Sequence, residues 1–168
     1  MRTNFLAYFT VLMLILASCK EGAVEIENND PVPVPFEVLG AVQSVNPDFA
    51  GTCRLNPHNL DVRQNIAGLS DVELIINTLD SFETYIRCQE KTDEPDIDST
   101  FVLAGLTTGQ PHCIYVKEID VYLLKGVLVY EVIIGDMACQ MPDRAQYIVG
   151  IPKSYSEYPV EFTIVKEE

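Results

Sequence analysis

The stretch CIYVKEIDVYLLKGVLVYEVIIGDMAC, residues 113–139, decides the fold because two apolar runs of strand length flank Lys125 and Gly126. A two-residue loop at Lys125 and Gly126 predicts a β-hairpin, in which Gly126 supplies the positive φ that such a turn needs. Counting outward from this loop opposes Leu124 to Val127 and so sets the register of both strands. The sequence therefore predicts one long antiparallel hairpin at the centre of the fold.

The predicted register gives the hairpin two different faces. The face that we expect to line the core carries six apolar side chains: Ile119, Val121, Leu123, Leu128, Tyr130 and Val132. On the opposite face Asp120 is paired with Glu131, and two opposed carboxylates repel each other, so both should face water or a cation. The apolar positions change from odd to even before Ile119, which predicts a β-bulge near Lys117.

The remaining segments predict a domain of short strands around this hairpin. Strands are expected over residues 36–45, 72–77, 100–106, 146–151 and 160–166, each rich in β-branched or aromatic side chains. Asp80 with Glu83 three residues later predicts the N-cap of one short helix ending near Gln89. We therefore expect a single domain over residues 36–168. Its fold class should be mainly β, or α+β by strict count, as an antiparallel sheet or small sandwich.

The first 18 residues have the pattern of a cleaved export signal. Arg2 precedes an apolar run, and Leu16-Ala17-Ser18 places small residues directly before Cys19. This pattern resembles the bacterial lipoprotein signal, which implies lipid attachment to Cys19 and anchoring in the outer membrane. An ordinary secretory signal or an uncleaved anchor is the alternative.

Residues 19–35 should form a tether between that lipid and the domain, since their acidic and Pro-Val composition cannot bury a core. The charges at Lys20 and Glu21 resemble the export signal of surface lipoproteins in Bacteroidota. Both the periplasmic and the cell-surface face of the outer membrane remain open.

The charge balance restricts the classes of partner. The chain has 11 Lys and Arg against 25 Asp and Glu, a net charge of −14, and removing residues 1–18 takes away only Arg2, giving −15. Nucleic acids and anionic lipids reward basic residues, so neither is an expected partner. The acidic balance fits a basic protein partner or a cation-rich exterior, and it also serves simple solubility.

Four cysteines remain once Cys19 is lipidated, and outside the cytoplasm they can form disulfides. Four cysteines allow three pairings. The hairpin register brings Cys113 near Cys139, which leaves Cys53 to pair with Cys88. No C-x-x-C spacing supports metal binding as the alternative.

No motif in the sequence carries recognisable catalytic chemistry, so we expect neither an enzyme nor a cofactor. His58 and His112 lie in loops without a patterned partner, and no G-x-S-x-G elbow, P-loop or G-x-G-x-x-G is present. Asp93, Asp96 and Asp98 are weak candidates for a Ca²⁺ site, and a solvated acidic loop is the alternative.

Three tyrosines near the last inter-strand loop form a candidate interaction surface. Tyr147, Tyr155 and Tyr158 surround the sequence IPKSYSEYP, and amphipathic aromatic rings serve protein and glycan contacts well. Packing of half-buried tyrosines against the domain is the other interpretation.

The order of segments over residues 70–168 resembles a known bacterial domain. VELIIN, the helix opening DSFETYI, IDSTFVLAG, the hairpin, QYIVGIPK and PVEF follow one another in the chain. They are similar to the C-terminal domain of the small lipoprotein subunit of the dentilisin-type protease complex. Where relatives carry Gly-Gly-Tyr before the hairpin this chain has TTGQPHC, and Phe82 stands where they often have Trp.

The resemblance implies a non-enzymatic accessory subunit that helps assemble or stabilise a surface protease or another envelope complex. We expect a protein partner, with a protease as one class, and contact with the membrane through the N-terminal lipid. The alternative function is a surface lipoprotein that binds a glycan or Ca²⁺.

Overall fold

The computed structural model describes residues 30–42, 51–56, 58–60, 72–109, 113–137 and 143–167. Within these ranges the chain forms ten strands and one α-helix. Their bounds are β1 (Val32–Pro33), β2 (Glu37–Val42), β3 (Cys53–Leu55), β4 (Val72–Ile76), α1 (Leu79–Tyr85), β5 (Ile86–Cys88), β6 (Thr100–Gly109), β7 (Cys113–Leu124), β8 (Val127–Met137), β9 (Asp143–Pro152) and β10 (Val160–Lys166). Short 3-10 turns occupy Lys91–Asp93 and Lys153–Tyr155. The predicted mainly β class is confirmed.

The strands form three sheets. The outer sheet has the order β1-β7-β8-β10, the central sheet the order β2-β9-β6-β4, and the small sheet pairs β3 with β5. A first apolar core joins the outer sheet to one face of the central sheet. A second core joins the other face of the central sheet to the small sheet and Phe82 of α1. The central sheet is therefore covered on both sides.

The β7–β8 hairpin has the predicted register. Leu124 pairs with Val127, the pairing continues to Ile119 opposite Val132, and the register shifts between Val116 and Glu118. Five of the six predicted core residues are buried, and the sixth, Leu123, packs half-buried against the same core. Positive φ at both loop residues, Lys125 and Gly126, closes the turn.

The last strand departs from the antiparallel pattern. β10 lies parallel to β8, with Val160 opposite Leu128 and Lys166 opposite Ile134. A parallel neighbour needs a long connection, and here the chain passes through β9 in the central sheet before it returns. An ion pair between Lys117 at the bulge and Glu167 ties the end of β10 to the hairpin.

The central strands β6 and β9 are buried along most of their length. Every described residue from 101 to 107 and from 145 to 151 is buried. Odd residues such as Leu103 and Val149 belong to the first core, while even residues such as Val102 and Ile148 belong to the second. Such strands read as continuous apolar runs because both of their faces leave water.

The domain begins before its predicted start at residue 36. Val32 pairs with Leu123, the Val34 N–H donates to the Val121 carbonyl at 2.9 Å, and the Val34 side chain is buried. Proline is tolerated in β1 because this strand lies at the edge of the outer sheet. The predicted tether over residues 19–35 is therefore wrong at its C-terminal end, and residues 1–29, including Cys19, lie outside the described residues.

The helix is shorter than predicted and starts earlier. Thr78, rather than Asp80, is the N-cap, and its Oγ1 accepts a hydrogen bond from the Ser81 N–H at 3.3 Å. The helix ends at Tyr85, before the predicted end near Gln89, because Ile86 adopts extended backbone and starts β5. Among the described residues, no helix has the length and apolar character required to cross a bilayer.

One of the two predicted disulfides is confirmed. Cys53 and Cys88 face each other in the β3–β5 ladder and lie at disulfide distance. The bridge fastens the small sheet over the second core. Cys113 opens β7 opposite Met137, but Cys139 and so the second bridge lie outside the described residues.

Candidate protein-interaction surface

Tyr155 and Tyr158 form an exposed aromatic pair at the entrance to β10. The 3-10 turn Lys153–Tyr155 lets Tyr155 pack half-buried against the first core, while Tyr158 stays 38 % exposed. Their ring centroids are 6.3 Å apart and the rings are tilted by 35°. Two of the three predicted interface tyrosines are thus together at the surface.

Tyr147, the third predicted interface residue, belongs to the core. It is 0 % exposed in the middle of β9, and its ring meets Tyr130 edge-on at a centroid distance of 5.8 Å. Gly105 lies opposite Tyr147 on β6, and a Cβ there would lie 2.1 Å from the Tyr147 ring. The missing side chain at Gly105 therefore makes room for the ring, and the prediction of a surface role for Tyr147 is wrong.

The outward side of the hairpin carries what we call the acidic face: Asp120, Glu131 and Glu161 around Tyr122. Asp120 is directly opposite Glu131, as predicted, and Glu161 extends from the neighbouring β10. The Tyr122 hydroxyl donates to Glu131 Oε2 at 3.3 Å. Burial raises the pKa of Tyr122, and the charges of Glu131, Asp120 and Glu161 add to this shift. A negative potential therefore covers a mixed aromatic and carboxylate surface.

A shallow apolar notch adjoins the acidic face at the β1 side of the outer sheet. Pro31, just before β1, and Pro33 in β1 line one side of it, and Tyr122 and Leu124 line it from β7. The notch and the acidic face share Asp120 and Tyr122. A partner placed over the outer sheet could therefore meet carboxylates and apolar side chains together.

The three aspartates that are weak Ca²⁺ candidates are engaged in their own loop. Asp93 Oδ2 accepts the Glu90 N–H at 3.3 Å, and Asp96 accepts the Asp98 N–H at 3.1 Å and the Ser99 hydroxyl at 2.8 Å. Within the described ranges, no three His, Cys, Asp or Glu side chains are grouped so that they could hold a metal ion. The carboxylates of Asp93 and Asp96 instead close turns of the acidic loop, and Asp98 takes part through its backbone N–H.

His58, the histidine that the structure describes, belongs to no group of His, Cys, Asp or Glu side chains that could hold a metal ion. His58 is exposed in a turn, where its backbone N–H donates to Asn56 Oδ1 at 3.4 Å. His112 lies outside the described residues. The structure therefore gives no geometry from which to assign a catalytic role to His58.

Sequence reasoning missed the free edge of β10. Pro159 accepts a hydrogen bond from the Leu128 N–H and Glu167 donates to the Ile134 carbonyl, so odd-numbered residues of this strand bond to β8. The N–H and C=O groups of the even-numbered residues point the other way: Val160, Phe162, Ile164 and Lys166. No described strand pairs with them. Only the order of strands in the sheet, which is not a local property of sequence, could have identified this edge.

Comparison with protein-family models, with curated proteins and with solved structures finds no match to this chain.

Proposed function

We propose that this protein is a non-enzymatic lipoprotein of the bacterial envelope that acts as an accessory or interaction subunit of a protein complex. Lipid at Cys19 holds it at the outer membrane, and the folded domain presents the acidic face to a basic protein partner. The observation that carries the proposal is the direct pairing of Asp120 with Glu131 on the outward side of the hairpin.

The energetics of this pair favour a role in binding. Like charges that oppose each other on a sheet destabilise it, whereas an opposite pair at the same positions would contribute about 0.2–1 kcal/mol. Glu161 on β10 adds a third carboxylate near Tyr122. Lys or Arg side chains of a partner would supply the missing countercharge and would accelerate association through long-range attraction.

The class of partner follows from the resemblance and from charge. A surface protease, or another envelope complex that the subunit stabilises, fits the similarity of residues 70–168 to the small subunit of the dentilisin-type complex. The net charge of −14 supports a partner with a basic face. Both faces of the outer membrane are compatible with this role.

Cross-linking in intact cells, followed by mass spectrometry of proteins recovered with the chain, tests the proposal. A reproducible partner should be recovered with the unaltered chain and lost with the double variant Asp120→Lys and Glu131→Lys. The matched control is Glu73→Lys with Glu83→Lys, which changes charge equally at exposed positions outside the acidic face. Equal recovery with both variants, or no partner at all, would contradict the proposal.

The lipid anchor has its own test. A Cys19→Ser variant should lose incorporation of a labelled fatty acid and leave the membrane fraction, because acyl chains provide the stable attachment. Unchanged labelling and membrane retention would show that Cys19 is not the anchor.

Glycan binding is a second candidate function, supported by the Tyr155 and Tyr158 rings, which are tilted and close at the surface. A glycan array should give a signal that the variants Tyr155→Ala and Tyr158→Ala both abolish. An array without signal would remove this candidate.

A further inference from the structure

The edge of β10 that faces away from β8 carries few of the features that protect edge strands. Edge strands are commonly interrupted by proline, a bulge or an inward charge, or covered by another element. Between Val160 and Val165 the register of β10 with β8 is regular, no inward-pointing residue is charged, and no described strand covers this edge. The charged residues of β10 are Glu161, on the acidic face, and Lys166 at the end of the strand. The outward-facing N–H and C=O groups of every second residue are thus unpaired by any described strand along β10: Val160, Phe162, Ile164 and Lys166.

The first core is also incompletely covered at this edge. Phe162 and Ile164 point into the core but remain half-buried, whereas Tyr130 and Val132, their partners on β8, are 0 % and 1 % exposed. Phe162 contacts Tyr130 edge-on at 5.5 Å between ring centroids. One more strand beside β10 would bury the remaining surface of both side chains in the way that β10 buries those of β8.

We propose that β10 receives an extended, basic segment of a partner protein as an added strand. The proposal rests on the proposed function as an interaction subunit and specifies its surface. Residues on one side of that segment would be apolar and continue the row of Phe162 and Ile164. Residues on its other side would be Lys or Arg and meet Glu161, at the β10 border of the acidic face.

Charge favours this occupant over a second copy of the chain. Two copies joined through β10 would bring together two domains that each carry a large negative charge, since the chain has a net charge of −14. A basic segment gains attraction where a second copy meets repulsion. The exposed Tyr158 precedes β10 and lies where such a segment would leave the strand, offering an aromatic contact at its end.

The test uses the full-length chain, purified from membranes in detergent, and a synthetic heptapeptide that alternates Val and Lys. Residue-resolved amide exchange is measured with and without saturating peptide. Exchange at Phe162 and Ile164 should slow by about tenfold or more, because their N–H groups gain partners. Exchange at Thr163 and Val165, whose N–H groups already bond to β8, should change little.

Two matched comparisons test the role of charge. A heptapeptide that alternates Val and Glu should leave exchange at Phe162 and Ile164 unchanged. The variant Glu161→Lys should weaken binding of the Val-Lys peptide by about threefold or more, whereas Glu83→Lys on the exposed side of α1 should not.

Strand addition is overturned if the Val-Lys peptide slows exchange at neither Phe162 nor Ile164, and its basic character is overturned if both peptides protect equally. A photo-cross-linking residue placed at position 120 or at position 166 and activated in cells distinguishes failure of the β10 site from failure of the proposed function. Capture of a partner from position 120 but never from position 166 would reject the β10 site and leave the interaction role standing. Capture from neither position would count against the interaction role itself.

Discussion

The central sheet and the outer sheet belong to one domain, but the central sheet packs against a core on each face and the outer sheet on one. In β6 and β9 consecutive residues are buried, since one core lies on each side of the central sheet. In β7, Ile119 and Val121 are buried while Glu118 and Asp120 beside them are exposed. Consecutive burial along β6 and β9 therefore marks strands of a sheet that is covered on both faces, whereas alternating burial along β7 marks a strand with one face at the surface.

The largest contrast is expected between two tyrosines that the sequence assigned to the same candidate surface. Tyr147→Ala should lower the free energy of unfolding by about 3–5 kcal/mol, because it opens a cavity beside Tyr130 and Gly105 between the two large sheets. Tyr158→Ala, at an exposed position, should lower it by less than about 1 kcal/mol. Urea unfolding of both variants measures the difference. Equal losses would mean that the central sheet is not the more tightly packed layer.

Removing the confirmed disulfide should have the next largest effect. The Cys53→Ala and Cys88→Ala double variant should lose about 2–4 kcal/mol of stability, since the bridge closes a loop with a sequence separation of 35. Reduction of the native chain should destabilise it similarly. A loss below about 1 kcal/mol in thermal and urea unfolding would show that the bridge contributes little to the covering of the second core.

Alkaline pH should weaken the domain through tyrosines of the outer sheet. Burial, with a smaller contribution from Tyr147, raises the pKa of Tyr130 well above its ordinary value near 10, and burial also raises that of Tyr122. The folded state keeps these protons while the unfolded state releases them. Their stabilisation is therefore complete below pH 10 and is lost as pH rises through the folded-state values.

The expected slope from Tyr130 is about 1.4 kcal/mol per pH unit between pH 10 and its folded-state pKa, and the less buried Tyr122 contributes less. Tyr130→Phe should reduce the slope of unfolding free energy against pH by the equivalent of about one proton, because phenylalanine does not titrate. It should change stability at neutral pH only slightly, because the Tyr130 hydroxyl has no hydrogen-bond partner among the described residues. A slope that is unchanged by Tyr130→Phe would contradict the burial of this hydroxyl.

The smallest expected effect comes from the acidic face. Asp120→Asn should stabilise the domain by about 0.2–1 kcal/mol, because it removes repulsion from Glu131 on the opposite strand. In a Glu131→Gln background the same change should bring no further gain, so a double-mutant cycle isolates the pair. A destabilising Asp120→Asn would indicate that the carboxylates serve the fold rather than a partner.

Local patterns predicted the outer hairpin well. Its two-residue turn fixes the register, and the change of apolar phase before Ile119 locates the bulge. The pairing of Asp120 with Glu131, and the pairing of Cys53 with Cys88 that remained after the hairpin had taken the other two cysteines, follow from that register.

The remaining features depend on contacts between distant segments. Tyr147 lies in a strand whose two faces are both buried, so alternation could not show that its ring points into the core. The N-cap is Thr78 and not the predicted Asp80, and the packing of Phe82 against the second core fits the earlier start. The parallel position of β10, and with it the free edge, depends on sheet order that no local pattern encodes.

Native-state amide exchange of the domain without a partner tests the central claim most directly. The claim is that the central sheet is covered on both faces, whereas β10 has one edge that no described strand pairs with. Amides of β6 and β9 should exchange only with global unfolding. Along β10, the amides of Thr163 and Val165 should be protected, whereas the amides of Phe162 and Ile164, which alternate with them, should exchange rapidly. If the amides of Phe162 and Ile164 were as protected as those of Thr163 and Val165 in the free protein, this edge of β10 would already be paired. That result would contradict the proposal that it is available to a partner strand.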